Sequence, residues 1–199
     1  MYSDTQAWNH VHNEDMWIFD KLILSKRLGY ICGPHGIDVP KPGRYVVRPV
    51  VNIEGMGRKA RIIEIEKSTK SLLEPGEFWC EVFTGRHLSV DYIKGKQILC
   101  VEGIRDPADP LWKWSKWIRT DDQIEYPSIM KALRCLYPYV NIEMIGDRII
   151  EIHLRLNPDW KSYNGNEIIP VFDDYLEPLE GYQYVSSADY HRRGFFQKI

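Results

Sequence analysis

The sequence predicts an α+β protein built on antiparallel sheets, and three observations carry that expectation. Apolar residues recur at helical spacing in residues 17–29 and 126–139. Much of the remainder reads as short apolar or alternating runs, the pattern of strands with a buried face. Short connectors containing Gly95 and Gly146 join successive runs, which points to hairpins.

In chain order, "WIFDKLILSKRLG" places Phe19, Ile23, Leu24 and Leu28 on one helical face and ends at Gly29. "CGPHGIDVPKPG" follows as a loop, because its prolines and glycines leave little room for regular structure. "RYVVRPVVNI" and "RKARIIEIE" read as two strands joined by "EGMG", with a short helix expected in the first half of "KSTKSLLEPGE". "FWCEVFTG" and "RHLSVDYI" read as strand, bend and strand, and "KGKQILCVEGI" continues the sheet. "LWKWSKWIRT" reads as a strand that turns Lys113 away from its large apolar residues. "YPSIMKALRCLYPY" reads as a helix starting near Pro127, with Ile129, Ala132, Leu133 and Leu136 on one side. Beyond residue 157, "NEIIPVF" is the clear strand candidate.

The hairpin "VNIEMIGDRIIEIHLRLNPDW" carries the most chemistry. Val140, Ile142 and Met144 alternate with Asn141 and Glu143, while Ile150, Ile152 and Leu154 alternate with Glu151, His153 and Arg155. A three-residue connection, Gly146-Asp147-Arg148, pairs residues whose numbers sum to an even value and gathers the polar side chains on one face. Glu143 and Glu151 then face each other, an unfavourable arrangement unless a cation lies between them. Mg²⁺ or Mn²⁺ takes one or two carboxylates together with substrate phosphates. A solvated polar face accounts for the same alternation.

Composition narrows the classes. The chain has 199 residues, 44% of them hydrophobic and 27% charged, and a net charge of −2, which fits a globular protein with a sizeable core. No broadly basic surface is expected, so nucleic acid is not an expected partner, although Lys113 between Trp112 and Trp114 is a pattern that also stacks on single strands. Cys32, Cys80, Cys100 and Cys135 are irregularly spaced, which predicts buried free thiols in a reducing compartment, and the cytoplasm is the expected location. No apolar run approaches the roughly 18 residues of a membrane span, and no signal pattern opens the chain. His10-x-His12 and His35 lack neighbours that would complete a metal or nucleophile site.

Four stretches taken in order resemble the ATP-grasp superfamily of ATP-dependent ligases. "FDKLILSKRLGYICGPHGIDVPKPG" is similar to the segment where Asp-Lys opens a helix leading to a Gly-Ile-x-x-Pro turn. "RYVVRPVVNIEGMG" is similar to the strand ending in Lys-Pro and followed by a glycine loop over the phosphates. "FWCEVFTGRHLSVDYI" is similar to the Glu-x-x-x-Gly-x-x-x-Ser-Val-Asp hinge that holds adenine. "VNIEMIGDRIIEIHLRLNPD" is similar to the metal-binding hairpin closing in Glu-x-Asn-x-Arg.

The resemblance covers residues 19–158 and implies two α+β lobes with antiparallel sheets clasping a nucleotide. The smaller lobe is expected over about residues 40–80 and the larger over about 81–158. Residues 1–18 are expected as an N-terminal extension and residues 159–199 as a C-terminal extension packed on the larger lobe. No separate N-terminal acceptor domain is expected.

It further implies ATP and Mg²⁺ or Mn²⁺ as cofactors. Lys21, Arg48, Gly55, Gly57 and Lys113 would meet the phosphates, and Glu81, Val82 and Phe83 the adenine. Glu143 and Glu151, with His153 or Asn141, would hold metal, and Arg155 together with Arg48 would serve the transferring phosphoryl group. Three positions depart from the family. Arg48 replaces the usual lysine, as in an arginine-bearing clade seen in phages and bacteria, and keeps the charge in a fork suited to phosphate. His153 stands where a second asparagine is usual, and imidazole favours Zn²⁺ or Mn²⁺ over Mg²⁺. His87 falls near the position of an acidic ribose contact.

The expected function is that of a ligase joining a small-molecule or peptide carboxylate to an amine or thiol through an acyl phosphate. Two alternatives remain open on the sequence: a catalytically silent nucleotide-binding or structural module, and a small metal-dependent hydrolase or nuclease.

Overall fold

The computed structural model describes residues 3–51, 57–161, 163–172, 177–189 and 192–199. Two short helices, α1 (Asp4–His10) and α2 (Lys21–Arg27), precede a small antiparallel sheet of β1 (Cys32–Pro34), β2 (Gly43–Pro49), β3 (Arg61–Ile65) and β4 (Glu77–Glu81) in the order β1-β4-β2-β3. The remaining strands build one large antiparallel sheet in the order β11-β12-β10-β7-β6-β5-β8-β9. They are β5 (His87–Ile93), β6 (Lys96–Ile104), β7 (Lys116–Arg119), β8 (Tyr139–Ile145), β9 (Arg148–His153), β10 (Glu167–Val171), β11 (Tyr182–Asp189) and β12 (Arg192–Lys198).

The helical stretch at 17–29 is divided in two. Asp20 is extended and its carboxylate accepts from Ile23 N at 2.8 Å, so it caps α2, while residues Asn13–Phe19 form a separate 3₁₀ turn. The Lys21 amide donates to Val50 O at 2.9 Å, which pins the start of α2 to the end of β2. Ile18 and Leu24 then enter a core with Val90, Tyr92, Ile142 and Ile152 on one face of the large sheet. In the small sheet, Tyr45, Val47, Ile65 and Trp79 form the core.

Several expectations are corrected. The loop after Gly29 contributes β1, whose Cys32 pairs with Cys80 of β4. Residues 67–76 form turns instead of a helix, held where Thr69 Oγ1 accepts from Gly36 N and donates to Ile37 O. The stretch 126–139 is helical only as a 3₁₀ turn over Ser128–Ala132. Asp15 takes the Arg134 and Cys135 amides at 2.7 and 3.1 Å and the Tyr137 hydroxyl at 2.8 Å, which removes the donors a helix would need and leaves Leu136 99% exposed. In the run 111–120, only Lys116–Arg119 is strand. The C-terminal β11–β12 hairpin carried no clear sequence pattern; it pairs onto β10 and extends the large sheet.

The decisive hairpin also turns differently from the expectation. Ile145 pairs with Arg148 across a two-residue turn, Gly146-Asp147, and a β-bulge then shifts the register between Met144 and Glu143. The extra residue, Ile150, restores the even pairing, so Glu143 faces Glu151 and Asn141 faces His153. Ile149 and Ile152 enter the core, whereas Ile150 does not. The four cysteines are unpaired. Among the described residues no helix is long and apolar enough to cross a membrane.

Candidate active site

A cavity of about 480 Å³ lies where the two sheets meet, within the ~300–1,000 Å³ typical of small-molecule sites. Val46 and Arg48 of β2 and Ile62 of β3 line it from the small sheet, and Lys21 from α2. His87, Ser89, Asn141, Glu143, Ile145, Ile150, Glu151 and His153 line it from the large sheet. The link between the sheets adds Val82 and Phe83. This link lies directly on the hairpin turn: the Gly146 amide donates to Arg86 O at 2.8 Å, and a Cβ on Gly85 would stand 2.8 Å from Gly146 Cα. Glycine at both positions, each with positive φ, is what allows the approach.

The charged groups compensate one another unevenly. Lys21 Nζ lies 3.2 Å from Glu151 Oε2, and His153 Nε2 stands 3.6 Å from Glu143 and 3.7 Å from Glu151. His87 Nε2 approaches Glu143 at 3.5 Å without hydrogen-bond geometry. Burial alone would raise the Glu143 carboxyl, yet His153 and His87 hold it well below the usual carboxylate range. Arg48 is only 8% exposed, its Nε has no hydrogen-bond partner, and burial lowers its pKa against the opposing pull of Glu151 and Glu143. A buried cation so placed is costly unless an anion joins it.

A second layer fixes these residues. Asp91 accepts from Asn141 Nδ2 and from Asn157 N, both at 2.9 Å, and burial pushes its carboxyl up to about 6 against those hydrogen bonds. The Asn141 amide also donates to Ser89 Oγ at 2.8 Å. Arg155 lines the cavity with its guanidinium bonded to Asp4 of α1 through Nε at 2.5 Å and a terminal nitrogen at 3.2 Å. Burial opposes the charge of Arg155, but these bonds raise its pKa. Arg192 of β12 holds Asp159 through both terminal nitrogens, and both residues line the cavity.

Lys21, Arg48, Gly57, Val82, Phe83, His87, Asn141, Glu143, Glu151, His153 and Arg155 therefore line one cavity. Two candidates lie elsewhere. Glu81 accepts from Ile31 N at 2.9 Å and ties β4 to the start of β1. Lys113 pairs with Asp109 at 3.2 Å, while its neighbours Trp112 and Trp114 line the cavity, so the alternation holds but presents the opposite face. Gly55 lies outside the described residues. Asn157 was overlooked, although it continues the two-residue period of Glu151, His153 and Arg155. Arg192 had no sequence signal, since its partner Asp159 is 33 residues away.

The donor set fits a divalent cation in a limited sense. Among the described residues no three acidic, histidine or cysteine side chains are grouped closely enough to hold an ion by themselves. Glu143 and Glu151 do supply the carboxylate pair that Mg²⁺ or Mn²⁺ needs when phosphate oxygens complete its shell.

No protein-family model matches the chain, and no curated protein matches it. Among solved structures, an ATP-grasp superfamily protein from Archaeoglobus fulgidus superposes with a TM-score of 0.54 at 16% identity, over 90% of this chain. The chain has an ATP-grasp fold. It spans 64% of that protein's length, less than two thirds. An L-amino acid ligase from Bacillus licheniformis superposes at a TM-score of 0.47 and 12% identity, over 74% of this chain and 43% of that one. A D-alanine–D-alanine ligase from Bacillus anthracis gives 0.41 and 18% identity, over 69% and 56%. Both scores lie below 0.5, so the ATP-grasp assignment rests on the Archaeoglobus fulgidus protein.

Proposed function

We propose that this chain is an ATP-dependent ligase that converts a carboxylate to its acyl phosphate and transfers the acyl group to an amine, or to a thiol as the less favoured acceptor. The observation that carries this reading is the convergence of Lys21 and Arg48 with Glu143 and Glu151 on one cavity between two sheets of an ATP-grasp fold.

Val46 and Ile62 on one side, Ile145 and Ile150 on the other, and the Val82–Phe83 link form an apolar slot suited to adenine. The triphosphate would lie toward Lys21, Arg48 and the Gly57 backbone, where the buried Arg48 guanidinium, whose Nε has no hydrogen-bond partner, gains an anion. Glu143 and Glu151, with His153 beside them, would hold Mg²⁺ or Mn²⁺ against the phosphates; the ion supplies charge neutralisation. The substrate carboxylate then attacks the γ-phosphorus in line and ADP leaves. The acceptor's lone pair next attacks the acyl carbon, inorganic phosphate departs, and the acceptor loses a proton. Arg155 and Arg48 stabilise negative charge on the transferring group, so rate enhancement comes from position and electrostatics.

Thermal denaturation with ATP, with and without Mg²⁺ or Mn²⁺, tests the first half: ATP is expected to raise Tm only when metal is present. ADP release over a panel of amino acids tests the second half. Glu151→Gln is expected to lower turnover at least about a hundredfold while leaving the fold intact. Full activity in that variant would remove the hairpin from the chemistry. ATP binding without ADP release on any acid and amine would favour a silent nucleotide-binding module.

A further inference from the structure

One side of the cavity is built from aromatic rings that the nucleotide reading does not use. Trp112 and Trp114, Trp117 at β7, and Phe172 just past β10 all line it and are all half-buried. Their rings form connected pairs: Trp114 and Trp117 lie 5.0 Å apart, and Trp112 and Phe172 lie 5.7 Å apart. The indole N–H of Trp79 in the small-sheet core donates to Ile37 O. The indoles of Trp112, Trp114 and Trp117 have no such partner among the described residues. Large aromatic side chains normally bury most of their area and satisfy that N–H. Here three half-buried indoles are gathered on one side of the cavity, with the Arg58 guanidinium 5.0 Å from the Trp112 ring and Trp117 also packed against the core of Val101, Trp160 and Ile168.

The wall is constructed rather than incidental. His87, Gly103 and Trp117 are cross-strand neighbours on β5, β6 and β7. A Cβ on Gly103 would stand 2.8 Å from Trp114 and 3.0 Å from Trp117, so only glycine lets both indoles lie on the sheet. The wall also reaches the reacting centre. The His87 ring is 4.3 Å from that of Trp114, and its Nε2 is 3.5 Å from Glu143. An aromatic group on Trp114 and Trp117 would therefore sit one imidazole away from the acidic pair.

We propose that Trp112, Trp114, Trp117 and Phe172 form the specificity subsite of the ligated molecule, which carries a planar aromatic group close to the reacting carboxylate or amine. An aromatic α-amino acid, free or at a peptide end, is the simplest such molecule. Rings in offset or edge-to-face contact favour this occupant over an aliphatic one. This inference rests on the ligase reading for the occupant's role, and on the cavity wall alone for its aromatic character.

The test is calorimetric titration of phenylalanine, phenylacetate and phenethylamine against alanine, acetate and ethylamine, on protein holding ADP and Mg²⁺. Each aromatic compound is expected to bind at least about tenfold tighter than its aliphatic counterpart. Trp114→Ala and Gly103→Ala are each expected to remove most of that difference, Gly103→Ala by displacing the rings without deleting one. Trp114→Phe is expected to retain part of it. None of the three should alter the ATP-dependent shift in Tm. Equal binding of aromatic and aliphatic compounds, or an unchanged preference in both Trp114→Ala and Gly103→Ala, would overturn the proposal. If ATP fails to bind while the ring preference persists, the ligase reading falls and the aromatic subsite stands.

Discussion

Asp15 shows how much one buried carboxylate organises. It accepts the Arg134 and Cys135 amides and the Tyr137 hydroxyl, joining the N-terminal turn to a segment about 120 residues later. Burial by itself would raise its pKa, but these three donors outweigh burial and lower it below 3.8. A depressed folded value means that the stabilisation is complete above the unfolded pKa and is lost as pH falls through the folded one. Asp15→Asn is expected to cost about 2–3 kcal/mol at pH 7. Urea denaturation of both proteins should show the gap closing below pH ~4. Nothing local marks this role, because an aspartate in "NEDMW" has the same neighbours whether it meets solvent or three donors far along the chain. Glu143 and Glu151 were legible, because strand alternation is a local property and puts both on one face.

Among the elements, the β8–β9 hairpin reached the expected side-chain placement through an unexpected backbone. Counting from the turn predicted a three-residue connection, whereas the chain uses Gly146-Asp147 and recovers parity with the bulge at Ile150. Bulges leave little trace in composition, since any residue can be the extra one. The bulge also decides packing: Ile149 is buried and Ile150 lines the cavity, the reverse of strict alternation from Ile152. Helix α2 gives a second case. Its start is set by Asp20, and Asp20→Ala is expected to cost about 1 kcal/mol of stability in denaturant melts. The same change should weaken metal–ATP binding, because Lys21 is the first residue of α2 and meets Glu151. The helix expected at 126–139 failed for the opposite reason, its amide donors being claimed by Asp15.

At the scale of the whole molecule, the C-terminal strands complete both the large sheet and the cavity. Val101, Trp160, Ile168 and Phe195 share a core that residues of β10 and β12 close, and Arg192 brings its guanidinium to Asp159 at the cavity wall. Arg192→Leu alone is expected to cost about 1–3 kcal/mol, since it strands a half-buried carboxylate, and Arg192→Leu with Asp159→Leu should recover much of that in urea melts. By itself the sequence determined the α+β class, most strands, the polar face of the hairpin and the order of motifs that marks an ATP-grasp fold. The first three follow from periodicity or from residues within a few positions of one another, and the last from the resemblance of four separate stretches. Only the tertiary structure decided that Lys21 meets Glu151, that Asp4 bonds Arg155, that Lys113 turns away while the tryptophans face the cavity, and that Arg192 joins the site. Those contacts depend on how distant segments pack together, and local side-chain pattern carries no record of the partner across the sheet.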